Sequence, residues 1–343
     1  MTTMFTSPAP SAGPSMKRRQ LCLGALGTLG AGLMASSAAH AADNYPSRPV
    51  RIIVPYAAGG GPDVQMRQLA PSLGEALGQP IVVENKVGAG GVLAAQYVAQ
   101  APADGYTALM GSNSHLIQKA LQPSLKFDPV NDFTPVTVVG TSPSVLVVAA
   151  DSPYRTVQDL IAALLAQPGK MNYSSGGIGS AAHLGGATLV SLLRASAVHL
   201  PLKGSVEIPL SLLRGDSAFA FTIAGTAIPQ VKGGKLRALA VTSAAPMAQL
   251  PQVPTLQSVL RSDLAVQEFW FGLWLPVKSP AEAVNKLYAA ATQTLKSPAI
   301  AAQFEASGNS VTQSASPQAD AAFVRGEFRK WADIIKLTGI TAG

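Results

Sequence analysis

The sequence predicts an α/β protein built as two lobes, and three observations carry this. Short apolar β-rich runs alternate with helical patterns through short links, the order of a mixed, mainly parallel sheet with flanking helices. Two longer β-rich segments, "FTPVTVVGTSPSVLVVAA" (Phe133 to Ala150) and "VQEFWFGLWLPV" (Val266 to Val277), read as crossover strands between lobes. The 343 residues are 48% hydrophobic and 13% charged, too apolar for a disordered chain and long enough for two lobes of ordinary size.

Residues 1–41 read as a leader rather than as fold. Lys17, Arg18 and Arg19 form a positive cluster, and the apolar run "LCLGALGTLGAGLMA" follows. That run is shorter than the roughly 20 residues a membrane span needs. "SSAAHA" then places Ala39 and Ala41 in a small-x-small arrangement. The expectation is a signal peptide over 1–41, cut after Ala41, and a periplasmic protein. A retained anchor is the competing reading, "RRQLCL" also permits twin-arginine export, and Met16 offers a later start.

Cys22, the only cysteine, lies inside this leader. The mature chain therefore has no disulfide, thiolate ligand or catalytic cysteine, which suits an exported chain stable on its core alone. The leader holds three of the 25 basic residues and none of the 18 acidic ones, so the formal charge of +7 falls to +4 on cleavage. No basic run is interleaved with aromatics, which argues against nucleic acid as a partner. A mild positive balance agrees with attracting small anions.

Taken in order, Val50 to Val54 reads as a buried strand. Pro62 suits the first helical position after Gly61, and Pro71 predicts a kink or restart. "GQPIVVENK" is turn and strand, "GAGGVLAAQYVAQA" glycine loop and helix, and "DGYTALMGS" turn and strand. Past the first long strand, Thr156 and Asp159 cap a helix. "KMNYSS", "GGIGS" and "AAHLGGATLVSLLRA" then repeat the strand–glycine–helix order. Ser279 and Glu282 form a capping box with Pro280 at the first helical position, and Ser316–Pro317 opens a last helix to about Lys336.

Two glycine loops are the main candidates for chemistry. The first, Tyr56, Ala57, Ala58, Gly59, Gly60, Gly61 and on to Asp63, lacks the lysine and hydroxyl of a phosphate loop. Asp63 would repel a phosphate. Backbone N–H groups at a helix N-terminus still suit a small anion such as a carboxylate, and a tight turn at positive φ explains the same glycines equally well. The second loop, Ser174, Ser175, Gly176 through Gly179 and Ser180, ending at His183, matches the loose G-x-G-x-x-A fingerprint at Gly177, Gly179 and Ala182. No acid lies between Asp159 and Glu207, so the ribose-binding partner of a dinucleotide site is missing. It reads as a second anion cradle or a polar loop cap.

Catalysis and metal binding find little support. His115, His183 and His199 share no metal-ligand spacing, and no H-E-x-x-H or G-x-S-x-G occurs. No metal and no cofactor is expected. Ser112 and Ser114 line a cleft or cap the next helix. Trp270 and Trp274 fit core at strand spacing, and Trp270 is also a candidate cleft wall. Lys203 is a solvated lysine or an anion's countercharge.

Seven ordered stretches carry a resemblance: "YPSRPVRIIVPYAAGGGPDVQMRQLA", "LGQPIVVENKVGAGG", "APADGYTALMGS", "FDPVNDFTPV", "PGKMNYSSGGIGSAAHL", "VPTLQS" and "WFGLWLPVKSP". Together they resemble the Bug family, the periplasmic solute receptors of tripartite tricarboxylate transporters, over nearly the whole mature chain. The resemblance implies a two-lobed type II periplasmic binding protein, or Venus flytrap. It implies a monomeric receptor, not an enzyme, that delivers a small carboxylate to membrane permease subunits. Lobe I is expected over 42–143 plus 266–343 and lobe II over 144–265. Carried over residue by residue, lobe I offers Tyr56 to Gly61 with Ser112 or Ser114. Lobe II offers Ser174 to Ser180, His183, Lys203 and Gly204.

Two departures from the family pattern matter. Pro62 stands where a threonine is usual, which removes a hydroxyl and an N–H. The two aspartates of a "GGxVDxxFD" pattern fall at Ala218 and Thr222. If those acids meet an amino group, this receptor takes a ligand without one. The competing functions are a sensor for a signalling partner and an exported hydrolase using Ser180 or Ser114.

Overall fold

A strand buried on both faces favours β-branched residues, and "VRIIV" supplies them at every position but Arg51, at the centre of the first βα units. The computed structural model describes Met4 and residues 45–59 and 61–341. The signal-peptide reading, Met4 apart, and Gly60 lie outside the described residues. From Pro46 onward the chain forms one compact unit.

The chain begins with β1 (Val50–Val54), α1 (Gly61–Leu77), β2 (Ile81–Asn85), α2 (Val92–Ala99), β3 (Thr107–Ser112) and α3 (Asn113–Leu121). The long β4 (Phe133–Ala149) follows, then α4 (Val157–Ala166), β5 (Asn172–Ser175), α5 (Ala181–Leu192), β6 (Val198–Pro201) and α6 (Ile208–Leu213). Next come β7 (Phe219–Ile223), α7 (Ala224–Lys232), β8 (Leu236–Val241) and α8 (Leu256–Leu260). The chain closes with β9 (Glu268–Pro276), α9 (Ala281–Leu295), α10 (Pro298–Ala306), β10 (Ser310–Val311) and α11 (Pro317–Thr338).

The strands line up as β2-β1-β3-β9-β4-β7-β5-β6, with β8 and β10 also on β4. The expected α/β architecture with flanking helices is present. The pairing is evenly mixed rather than mainly parallel. Parallel pairs join β1 to β2 and β3, and β5 to β6 and β7, while every pair made by β4 or β9 is antiparallel. A buried apolar run reads alike whichever way its neighbours point, so the sequence pattern carried no direction.

β4 joins the two halves of the sheet. It pairs with β9 from Phe133 to Pro143, then with β7 and β8 from Ser144 to Ala149. β9 does not cross: among the described residues it pairs only with β3 and β4, so the return passage is the segment before it. There Gln267 donates its N–H to Thr242 O at 3.0 Å, and Thr242 Oγ1 donates to Gln267 O at 2.5 Å.

Apolar clusters fill both halves. One gathers Val145 to Val148 with Leu160, Phe219 and Leu239; another gathers Ile53, Leu109, Trp270, Trp274 and Trp331. α5 contributes Leu189 to the first and Leu184 to the second, which anchors it against both.

Helix ends mostly follow the sequence. Thr156 Oγ1 accepts the Asp159 N–H at 3.1 Å and Asp159 returns the bond to the Thr156 N–H at 2.9 Å, a capping box. Ser316 accepts the Ala319 N–H at 3.1 Å ahead of Pro317. The Ser279 box does not form: its hydroxyl turns back to Pro276 O at 2.8 Å, and α9 starts at Ala281 behind Pro280. Pro71 does not restart α1, which runs through it; Pro71 is exposed, so the carbonyl it leaves unbonded can face water.

Candidate functional site

In an open α/β sheet, ligands bind outside the carboxyl ends of the strands, where βα loops converge. The loops after β1, β3, β5 and β7 meet this condition here, and the structure shows what each side chain in them does.

In the first loop, Gly59 takes φ 77°, a left-handed turn open to glycine. Its N–H donates to Asp63 Oδ2 at 2.8 Å. Asp63 is buried and also accepts from Arg67 Nε at 3.0 Å and Asn85 Nδ2 at 2.7 Å. Burial pushes this carboxyl up, but Arg67, Asn85 and the Gly59 N–H together hold it below the usual range. Asp63 is therefore the pin of the loop rather than a contact left free for a ligand, and it uses the Gly59 N–H expected in the anion cradle. Asn85, which the sequence reading missed, completes the pin by donating to Tyr56 O at 2.9 Å. Ala57 and Ala58 are exposed.

Tyr56 joins two loops. Its hydroxyl shares hydrogen bonds with Ser112 Oγ at 2.9 Å and Ser114 Oγ at 3.0 Å, and its ring meets Phe269 edge-on at 5.9 Å. Burial raises the phenol above its ordinary pKa, so it stays protonated. Ser112 is buried, and its N–H donates to His115 Nδ1 at 3.1 Å at the start of α3. Burial lowers His115 to about 4, so the ring is neutral and structural.

The second loop is also tied internally. Ser174 points away from the loop face into a buried serine chain, 2.9 Å from Ser217 Oγ, which is 3.0 Å from Ser211 Oγ. Ser175 Oγ accepts the Gly177 N–H at 3.2 Å and lies 2.7 Å from His199 Nε2. Gly179, at φ 75°, donates to His183 Nδ1 at 3.1 Å, and Ser180 Oγ accepts the His183 N–H at 3.3 Å. The His183 and His199 rings stack at 3.7 Å and 5°. Burial, then the neighbouring His199, lowers His183 to about 4. Among the described residues, the first-turn N–H groups of Ala181 and Ala182 keep no protein partner. Gly176 lies against Ser205: a Cβ there would stand 2.7 Å from the Ser205 nitrogen. Lys203 is exposed, its N–H donating to Glu207 Oε2 at 3.2 Å, and Gly204 precedes a short 3-10 turn.

A cavity of about 310 Å³ opens beside these loops, between the first turn of α1 (Pro62, Gln65) and that of α7 (Gly225, Thr226). Ser142 and Phe269, register partners on β4 and β9, line it as well. Among the described residues, no charged side chain lines it. Gln65 Oε1 and Ser142 Oγ are buried without a partner among the described residues, as is Thr222 Oγ1 one residue before Ile223 of the lining. The sequence reading paired the first loop with the loop after β5; this cavity instead pairs it with the loop after β7. Trp270 faces the other side of β9, buried, with its indole N–H on Glu327 Oε2 at 2.8 Å. It therefore does not line this cavity, and strand alternation gives the wall position here to Phe269.

The family described as "Tripartite tricarboxylate transporter family receptor" matches residues 65–340. The chain belongs to this family. BugT of Bordetella pertussis is 34% identical over 305 residues, covering 87% of this chain and 91% of BugT. The periplasmic binding protein BugD superposes with TM-score 0.75 at 31% identity, covering 87% of this chain and 99% of BugD. R. palustris Rpa4515, solved with adipate, superposes with TM-score 0.76 at 29% identity over 87% of this chain and 99% of its own. The architecture is that of the two-lobed periplasmic binding proteins, as the motifs implied, and the family is one of receptors.

Proposed function

We propose that this receptor binds a small dicarboxylate without an ammonium group, in a periplasmic location reached by cleavage after Ala41, and hands it to permease subunits of a tripartite transporter. The lobes are read as 42–143 with 266–343, and 144–265. One observation supports the ligand class most: the first turns of α1 and α7 face one uncharged cavity from opposite halves of the sheet. Helix N-termini favour an anion, and the neutral lining offers no carboxylate to repel it. Ser142 supplies a buried hydroxyl whose donor is unused. The relative that binds adipate makes a flexible dicarboxylate the first candidate.

Binding needs no bond chemistry. Micromolar affinity corresponds to about 8 kcal/mol. A hydrogen bond to a charged group contributes about 1.5–3 kcal/mol, so a few such bonds are of the right size. The test is a thermal-shift and calorimetric screen of succinate, malate and adipate on protein unfolded and refolded to strip bound ligand. Saturable binding of at least one dicarboxylate is expected. A stripped, folded protein that binds none of them sinks the reading.

A further inference from the structure

The β4–β9 ribbon has a second cavity on its other face. Ser142 and Phe269 line the uncharged cavity; their neighbours Thr141 and Trp270, also register partners, line a separate one of about 360 Å³ beneath α11. Its chemistry is the reverse of the first. Glu268, Asp320 and Glu327 line it with Lys330 as the one basic group, and Trp270 and Phe323 form an aromatic wall, edge to face at 5.1 Å.

These carboxylates are not equally engaged. Glu327 is saturated: its Oε2 accepts the indole N–H groups of Trp270 at 2.8 Å and Trp331 at 3.1 Å, and its Oε1 pairs with Lys330. Asp320 is 4% exposed; Ser314 and the Val138 backbone hydrogen-bond its carboxyl, but its Oδ2 has no partner among the described residues. It sits in the first turn of α11, where the helix dipole favours the anion. Burial pushes both Glu268 and Asp320 above the usual carboxylate range; Lys330 and Ala244 offset this only partly at Glu268, where Glu327 adds to it, and Ser314 and Val138 only partly at Asp320. Among the described residues no group of three Asp, Glu, His or Cys side chains is arranged to hold a metal ion. The missing partner is thus better supplied by an organic cation, whose alkyl part packs on the rings while its N–H groups reach the carboxylates.

We propose that the cavity under α11 is a second binding site, for a small primary alkylammonium ion, with Asp320 and Glu268 accepting its N–H groups and Phe323 and Trp270 covering its chain. It is separate from the dicarboxylate cavity and does not depend on it.

The test is calorimetric titration of the purified protein with n-butylammonium chloride, with sodium chloride at equal ionic strength as control, and tryptophan emission followed in parallel. Saturable one-site binding is expected, with a change in emission from Trp270. Asp320→Asn weakens it about ten-fold or more, the size of one charge-assisted hydrogen bond. Phe323, 40% exposed, gives a second variant that spares the core: Phe323→Ala weakens n-butylammonium several-fold and leaves adipate affinity unchanged. No saturable binding beyond the sodium control overturns the proposal. So does unchanged affinity in Phe323→Ala together with either unchanged affinity in Asp320→Asn or failure of that variant to fold.

Discussion

Gly59 donates its backbone N–H to the Asp63 carboxylate at 2.8 Å, so the glycine loop is held from within its own helix. Four residues of chain close on a buried acid that Arg67 and Asn85 also grip. Asp63→Ala leaves those donors without their acceptor, and the expected loss is about 3 kcal/mol of stability. Asp63→Asn keeps one acceptor oxygen and loses less. Urea denaturation of the two variants gives the order; equal, negligible losses would show that the pin is not what holds the loop.

Gly176 tests the second loop in the same way. A Cβ there would stand 2.7 Å from the Ser205 nitrogen, and that neighbour is backbone, which cannot swing aside. Gly176→Ala must therefore part the loop from Ser205, at a cost of about 1–3 kcal/mol for an overpacked contact. If the loop helps hold the ligand, adipate affinity also falls. Melting temperature and calorimetry read the two effects separately, and a variant matching the parent in both removes the close approach from the argument.

The sequence showed the elements well because their signals are local. Thr156 with Asp159, and Ser316 with Pro317, announce helix starts through residues three or fewer apart, and both caps form. The length of β4 was visible as unbroken β-rich chain. What escaped depends on which way a side chain turns or on what distant segments bring together. Ser174 and Ser175 are adjacent yet bond to Ser217 and His199 respectively. His183 and His199 lie on different elements, and only folding stacks them. Trp270 drew attention by size, but alternation turned Phe269 to the cavity. Gln65 and Ser142 have no motif at all; each matters because the fold buries a polar atom and gives it nothing to bond.

The described histidines make stability depend on pH. Burial lowers His115 and His183 to about 4, and His199 is lowered too, so the folded state keeps them neutral. Above the unfolded value of 6.5 both states are neutral and nothing is gained or lost. As pH falls below it, the unfolded chain takes up protons that the folded one refuses, and stability declines down to the folded value. The expected loss is about 2 kcal/mol at pH 5 for each of His115 and His183. Glu268 and Asp320 are raised and act in the opposite sense, so the same profile in Glu268→Gln and Asp320→Asn separates their part from that of the histidines. Urea midpoints measured at pH 7.5, 6.5, 5.5 and 5 should fall steadily; a flat profile contradicts the neutral pair.

Thr222 is where ligand choice can be changed by one residue. It is buried near the end of β7, its hydroxyl has no partner among the described residues, and the resemblance drawn from the sequence puts an aspartate of the family pattern at this position. Thr222→Asp places a carboxylate two residues before α7, beside a cavity that otherwise carries no charge. Such a group would repel a plain dicarboxylate and attract an ammonium. A nearby like charge in a partly dry site costs on the order of 1–2 kcal/mol, or about ten-fold in affinity. The variant should therefore lose succinate and adipate by about ten-fold and improve on aspartate and glutamate relative to the parent. Calorimetry with succinate and aspartate as a matched pair, differing by the amino group alone, measures the switch. If Thr222→Asp folds and the ratio of the two affinities does not move, the absence of an acid at this position does not set the ligand class.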